Sequence, residues 1–400
     1  MDFEIPEDLK MVQRLARDFV VDELRPLERD LLGRAADLSD ARSYLDAETE
    51  KRLMKTAKGI GLWGVGVPEE LGGAGLGTLA QCIVEEEVAQ TVVPFDFGDV
   101  TAILFECNVD QLHKYFMPVF NRDKAVYLAF LEPGQMTAEG STVWHVALLE
   151  GAPLAIGAKK ADGHYLLRGT RISLSRPSED YFALVFAMTG PEPGAATCFL
   201  VDKGTPGFTV ESGESIRGWR AASRSPLRLR FEDCRVTAEM ILGREGRAYR
   251  LGQKWLPSRR IVRGARSVGV AQRLLEEAVL RAQTWQSFGQ KRALQPAVQG
   301  ALAEIAVDIR ACRLLVYEAA WKADKGEPTR QEAAMVKLYA TQMVHNVADR
   351  VAHIYGGPPY VPGLPMERMC SDAVAASATE RSLESQRRVI ARGIFKGLRP

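Results

Sequence analysis

Few residues of this 400-residue chain could do chemistry, and one carboxylate stands out by its position. The run Ile354-Tyr-Gly-Gly-Pro-Pro-Tyr360 leads through Pro365-Met-Glu-Arg-Met369 into Ser371-Asp-Ala-Val-Ala-Ala-Ser-Ala-Thr-Glu380. The paired glycine ends one helix, another starts after it, and Glu380 falls near the end of that second helix. A lone glutamate is ordinarily a solvated surface residue, so its surroundings decide whether it does acid–base work. Gly73-x-Gly75 before a helix invites a dinucleotide-binding reading. The third glycine would fall at Thr78, Pro68 and two glutamates precede it in place of a strand, and no βαβ alternation follows. A structural turn between two helices fits better. The cysteines (82, 107, 198, 234, 312, 370) form no C-x-x-C and the histidines no H-E-x-x-H, so neither a disulfide framework nor a metal site is expected.

The elements that must position Glu380 change period along the chain. Up to about residue 125 the pattern is helical: Val12, Leu15, Ala16, Phe19, Val20 and Leu24 keep i, i+3, i+4 spacing until Pro26. Glycine-rich segments follow at 59–68 and 72–77, and Thr78 is a candidate cap for the next helix. Between 126 and 238, short β-branched and aromatic runs (Val126–Leu131, Val143–Val146, His164–Leu167, Asp180–Phe186, Thr197–Val201, Leu227–Phe231) alternate with turns such as Ala161-Asp-Gly163, as in a small sandwich or barrel. From 239 onward, long amphipathic helices are expected near 254–285, 296–324, 331–355 and 366–395. The fold class is therefore α+β multidomain: an N-terminal helical domain (1–125), a middle β-barrel or sandwich (126–238) and a C-terminal four-helix bundle (239–400). The formal net charge of +1 argues for neither nucleic acid nor a membrane surface as partner. The acidic N-terminus is no signal peptide and no apolar run reaches membrane-spanning length, so a cytoplasmic location is the default.

This order of segments resembles the acyl-CoA dehydrogenase family along nearly the whole chain. Gly61-Leu-Trp-Gly-Val-Gly-Val-Pro-Glu-Glu-Leu-Gly-Gly-Ala-Gly-Leu76 is similar to the family's "GLLGLxVPEEYGGxGL" segment, and Ala129-Phe-Leu-Glu-Pro-Gly134 to its flavin strand. Phe231-Glu-Asp-Cys-Arg-Val236 with Ile241-Leu-Gly-Arg-Glu-Gly246, then Phe288-Gly289, Leu302–Ile305 and Ile354–Gly357, resemble further family motifs in the family's order. The resemblance implies FAD-dependent α,β-dehydrogenation of an acyl-CoA thioester to the trans-2-enoyl-CoA. Ser371–Arg392 aligns without a gap to the run carrying the family's base, which places Glu380 in that role. Burial against flavin and thioester would raise its pKa toward neutrality. The base position used by some members is Arg259 here, a cation, and Arg260 matches the arginine that orders the base and the CoA end of the site. The resemblance further implies flavin contacts at Leu131, Thr137, Ser173, Ser175, Ser287, Phe288, Gln299, Gly356, Gly357 and Ser382. It implies an electron-transfer flavoprotein as acceptor, and a homotetramer or dimer.

The departures gather at those flavin contacts. Leu131 replaces a threonine, Gln135-Met136-Thr137-Ala138 keeps only one hydroxyl of "AGSD", and Ser173 and Ser175 replace an aromatic residue and a threonine. Trp285 stands where an arginine would reach the flavin diphosphate, His353 replaces a glutamine, and Pro358-Pro359 can offer no N–H. "YEGT" reads Thr379-Glu380-Arg381-Ser382. Three readings are open at this point. The first is a dehydrogenase with a rebuilt flavin site. The second is a low-activity or non-catalytic subunit of a hetero-oligomer with a sister chain, and the third a family-derived flavin or acyl-CoA binding protein.

Overall fold

The computed structural model describes residues 4–34, 45–129, 156–175, 178–192, 195–212, 225–287, 289–361, 363–376 and 383–397. Its described residues divide into two compact units, one from 1–97 and 257–400, the other from 98–217 and 221–256.

The first unit is helical. Helix α1 (Glu7–Phe19) buries Val12, Ala16 and Phe19 along one stripe, as the spacing predicts. A π turn (Val20–Leu24) and a 3-10 turn (Arg25–Leu27) then carry the chain past Pro26 into α2 (Glu28–Arg34). Pro26 thus distorts this run without ending it. Helices α3 (Ala47–Gly59) and α4 (Gly77–Val88) follow. The loop between them is a structural turn: a Cβ on Gly73 would lie 2.2 Å from the Val67 carbonyl oxygen. Thr78 does not cap α4. It sits inside the first turn, and the Asp324 carboxylate accepts from the amides of Thr78 (2.5 Å) and Leu79 (2.9 Å). An anion supplied from elsewhere in the chain satisfies the orphan donors and meets the positive end of the helix dipole.

Five helices complete this unit: α5 (Ala248–Thr284, from Pro257 onward), α6 (Pro296–Asp324), α7 (Arg330–Tyr355), α8 (Pro365–Ala375) and α9 (Leu383–Gly397). Helix α7 packs against α6, α8 and α9, and α4 against α1 and α6. The shared core runs through Ile261, Val268, Leu274, Ile309, Val316, Val336 and Val347. The expected helix at 366–395 is observed as α8 and α9, with 377–382 outside the described residues.

Three consecutive glutamates on α4 tie these helices together. Glu85 pairs with Arg266 of α5. Glu86, 3% exposed, accepts from Arg313 Nε (2.9 Å) and the Tyr317 hydroxyl (3.0 Å) of α6. Glu87, 2% exposed, accepts from Arg17 Nη2 (2.8 Å) and Gln13 Nε2 (3.0 Å) of α1. Burial pushes the Glu86 carboxyl above its ordinary value, against the opposing pull of Arg313. At Gly269 the backbone of α5 lies against α4 so closely that a Cβ would sit 2.0 Å from the Glu86 carbonyl oxygen.

The second unit is built on an eight-stranded mixed sheet. Its strands are β1 (Ala125–Ala129), β2 (Gly157–Ala161), β3 (His164–Ser175), β4 (Tyr181–Met188), β5 (Ala196–Asp202), β6 (Phe208–Ser212), β7 (Ser225–Thr237) and β8 (Ile241–Leu242). The order is β6-β7-β3-β2-β4-β5-β8, with β1 parallel to β4. Asp162 and Gly163 both take positive φ and close the β2–β3 hairpin, the backbone signature of a tight two-residue loop. Leu167, Val185, Phe199, Leu229 and Phe231 form its core.

Two outcomes follow. Asp324→Ala removes the cap of α4 and should lower stability by about 1 kcal/mol in urea unfolding; an unchanged midpoint would exclude that cap. Arg313→Ala strands a buried carboxylate and should cost about 3 kcal/mol. Because the folded pKa of Glu86 is raised, the folded state binds more protons than the unfolded state just above the ordinary carboxylate value. Stability from this group therefore falls as pH rises through that window, and Glu86→Gln should flatten the slope just above the ordinary carboxylate range.

Candidate active site

Arg260, a site residue expected from the sequence, lies on α5 at 1% exposure. It follows Pro257, which removes a hydrogen bond inside that helix. Its neighbour Arg259 is half-buried. The Nε and Nη2 atoms of Arg260 find no acceptor among the described residues. A buried guanidinium is suited to pairing with an anionic or carbonyl group.

Glu380 and Ser382 lie outside the described residues, in the segment 377–382 between α8 and α9. Its two flanks carry buried polar groups that sequence reasoning missed. Arg368 on α8 is 3% exposed, and its Nε and Nη1 have no acceptor among the described residues. Gln386 on α9 is fully buried, with neither amide atom bonded among them. Sequence offered one signal: Arg368 interrupts the buried face formed by Met366, Met369 and Ala373. Burial of an arginine and an amide on both sides of one short segment is costly unless polar groups meet them.

The flavin-contact candidates divide between the units. On β3, Ser173 and Ser175 point to the same face, as residues two apart must, and their hydroxyl oxygens are 2.8 Å apart. Ser173 is buried and Ser175 half-buried. Leu131 and Thr137 lie outside the described residues, as does Phe288; Ser287 ends a two-residue strand, with its side chain outside the description. Gln299 is exposed in the first turn of α6, its amide donating to the Ala293 carbonyl at 2.9 Å.

Gly356 ends α7 with φ +83° and ψ −131°, a conformation that only glycine adopts readily. A Cβ on Gly356 or Gly357 would meet nothing within 4 Å, so the turn opens onto free space. Beside it, the Arg281 guanidinium stacks 2.9 Å from the centroid of the Trp285 ring and 5.4 Å from that of Tyr355. Trp285 thus stacks against a cation from one helical turn earlier.

Residues 6–107 match the acyl-CoA dehydrogenase N-terminal domain and residues 247–395 the acyl-CoA dehydrogenase C-terminal domain. The chain is 31% identical to the mitochondrial short-chain specific acyl-CoA dehydrogenase of Homo sapiens, over 99% of this chain and 92% of that protein. It is 30% identical to the acryloyl-CoA reductase (NADH) of Anaerotignum propionicum, over 99% of this chain and 96% of that protein. The solved butyryl-CoA dehydrogenase of Megasphaera elsdenii superposes with a TM-score of 0.81 at 25% identity, covering 99% of this chain and all of that one.

Gly356→Ala forces a side chain into the glycine-only conformation at the end of α7. It should lower stability by about 1–3 kcal/mol in thermal unfolding, and an unshifted transition would show that the turn tolerates a Cβ.

Proposed function

The chain belongs to the acyl-CoA dehydrogenase family, and we propose that it performs α,β-dehydrogenation of an acyl-CoA thioester with FAD, Glu380 acting as the base. The observation that carries this reading is identity of 31% to an acyl-CoA dehydrogenase over 99% of the chain. That similarity along the whole length favours a catalytic chain over a non-catalytic sister subunit.

The residues present fit the cofactor. Ser173 and Ser175 supply two hydroxyls on one face of β3 that can bond a flavin edge. The open turn at Gly356–Gly357 leaves room for a diphosphate, and no Cβ would obstruct it. Bound FAD supplies the acceptor for the hydride leaving the β-carbon of the substrate. Glu380 would take the α-proton, which requires a carboxylate sheltered from water so that its pKa rises toward the working pH. Arg260, a buried cation, would hold the carboxylate side of the site in place and oppose an excessive rise. Arg259, as a cation, cannot serve as a second base.

An electron-transfer flavoprotein is the proposed electron acceptor. A solved chain at 26% identity, described with the electron transferring flavoprotein of Acidaminococcus fermentans, supports that choice. A homotetramer or dimer in the cytoplasm is the proposed assembly and location; among the described residues no helix is long and apolar enough to cross a membrane. Relatives named for short-chain substrates make butyryl-CoA the first thioester to test.

Purified protein should carry FAD absorbance that bleaches anaerobically with butyryl-CoA. Glu380→Gln should retain FAD while the bleaching rate falls by roughly 10²–10⁴-fold. Bleaching at the wild-type rate in that variant would remove Glu380 as the base.

A further inference from the structure

The unit that holds the sheet contains a cleft of about 360 Å³ lined by Arg244, Arg247, Arg250 and Lys254, with Leu251 as an apolar wall. Two left-handed glycines build it. Gly243 (φ +76°) and Gly246 (φ +72°) turn the chain twice between β8 and α5, and both bends bring an arginine to the same opening. The Gly246 amide donates to Thr197 Oγ1 at 2.9 Å, which anchors the turn to β5. Arg250 and Lys254 follow on the first turns of α5, four residues apart and therefore on one helix face.

Acids that could neutralise this cluster are engaged. Glu245, between the first two arginines, pairs with Lys160 at 3.4 Å. Glu106, the acidic residue of the lining, pairs with Lys254 at 2.5 Å. The side chains of Arg244, Arg247 and Arg250 have no carboxylate or hydrogen-bond partner among the described residues. Three like charges around one cavity repel each other, and the positive end of α5 adds to the same sign. In a chain whose net charge is only +1, this is a local concentration of charge and not a general basic character. Guanidinium forks match the oxygens of phosphate, often two at a time. The volume falls at the lower end of small-molecule pockets, which run from about 300 to 1,000 Å³, so a compact anion fits.

We propose that this cleft binds a phosphate-bearing anion, a phosphate ester or diphosphate, through Arg244, Arg247 and Arg250. Two sources share that chemistry: the phosphates of a CoA thioester, a source that rests on the function proposed above, or a separate phosphate compound that is no part of the reaction.

The test is calorimetric titration of inorganic pyrophosphate into the full chain, wild type and R244A/R247A/R250A, with melting temperatures measured alongside. All three side chains are exposed, so the variant should fold; the corresponding triple glutamine variant provides a second, bulkier neutral surface. Wild type should bind with an affinity that falls as salt rises, and both variants should lose at least about a hundredfold. No binding by wild type, or equal affinity in folded variants, would overturn the proposal. The source is read from the KM of butyryl-CoA and of its 3′-dephospho analogue. If CoA phosphates occupy the cleft, R244A/R247A/R250A raises the KM of the CoA ester toward that of the analogue. If pyrophosphate binding is lost while both KM values stay put, the anion is a separate compound. The calorimetric arm needs no turnover, so it can fail or succeed independently of the proposed activity.

Discussion

Three adjacent carboxylates on one turn of α4 set the arrangement of the helical unit. Consecutive residues on a helix point about 100° apart, so Glu85, Glu86 and Glu87 face three directions. Neighbouring like charges removed from water must each be compensated separately. Arg266 of α5, Arg313 with Tyr317 of α6, and Arg17 with Gln13 of α1 do so. Helix α5 is held further by the glycine contact at Gly269, which admits backbone to backbone approach that any side chain would prevent. Arg260 lies less than two turns before Arg266 on the same helix, so the glutamate turn also helps fix the depth of this buried arginine.

The polar groups of the proposed site contrast with that turn. Glu85, Glu86 and Glu87 are met by partners within the fold, whereas Arg368 and Gln386 bury donors or acceptors that the described residues leave open. Charges paired inside a fold serve packing; open buried positions suit a group that arrives from outside it.

Much of the fold was legible in the sequence, for physical reasons that differ by element. Helical stripes such as Val12, Ala16 and Phe19 follow directly from periodicity, and the Asp162-Gly163 hairpin from its turn chemistry. Strands β2 and β6 were not legible. Gly-Ala-Lys-Lys-Ala has no strand preference of its own and is held extended by its pairing with β3. The glutamate turn carries no local sign of burial, because the cations that bury it lie up to 227 residues away. Asp324 capping α4 is hidden for the same reason, and it displaced the local candidate Thr78. Of the proposed site, Arg260 was expected from its motif. Arg368, Gln386 and the basic cleft escaped because glycines and acids interleave with the arginines and no local period marks burial.

Product mass tests the proposed dehydrogenation most directly. FAD-loaded protein incubated with butyryl-CoA and an artificial electron acceptor should yield a thioester lighter by two hydrogens, with the new double bond between C2 and C3 in trans geometry. Recovery of unchanged butyryl-CoA from fully flavin-loaded protein, with the acceptor still oxidised, would contradict it.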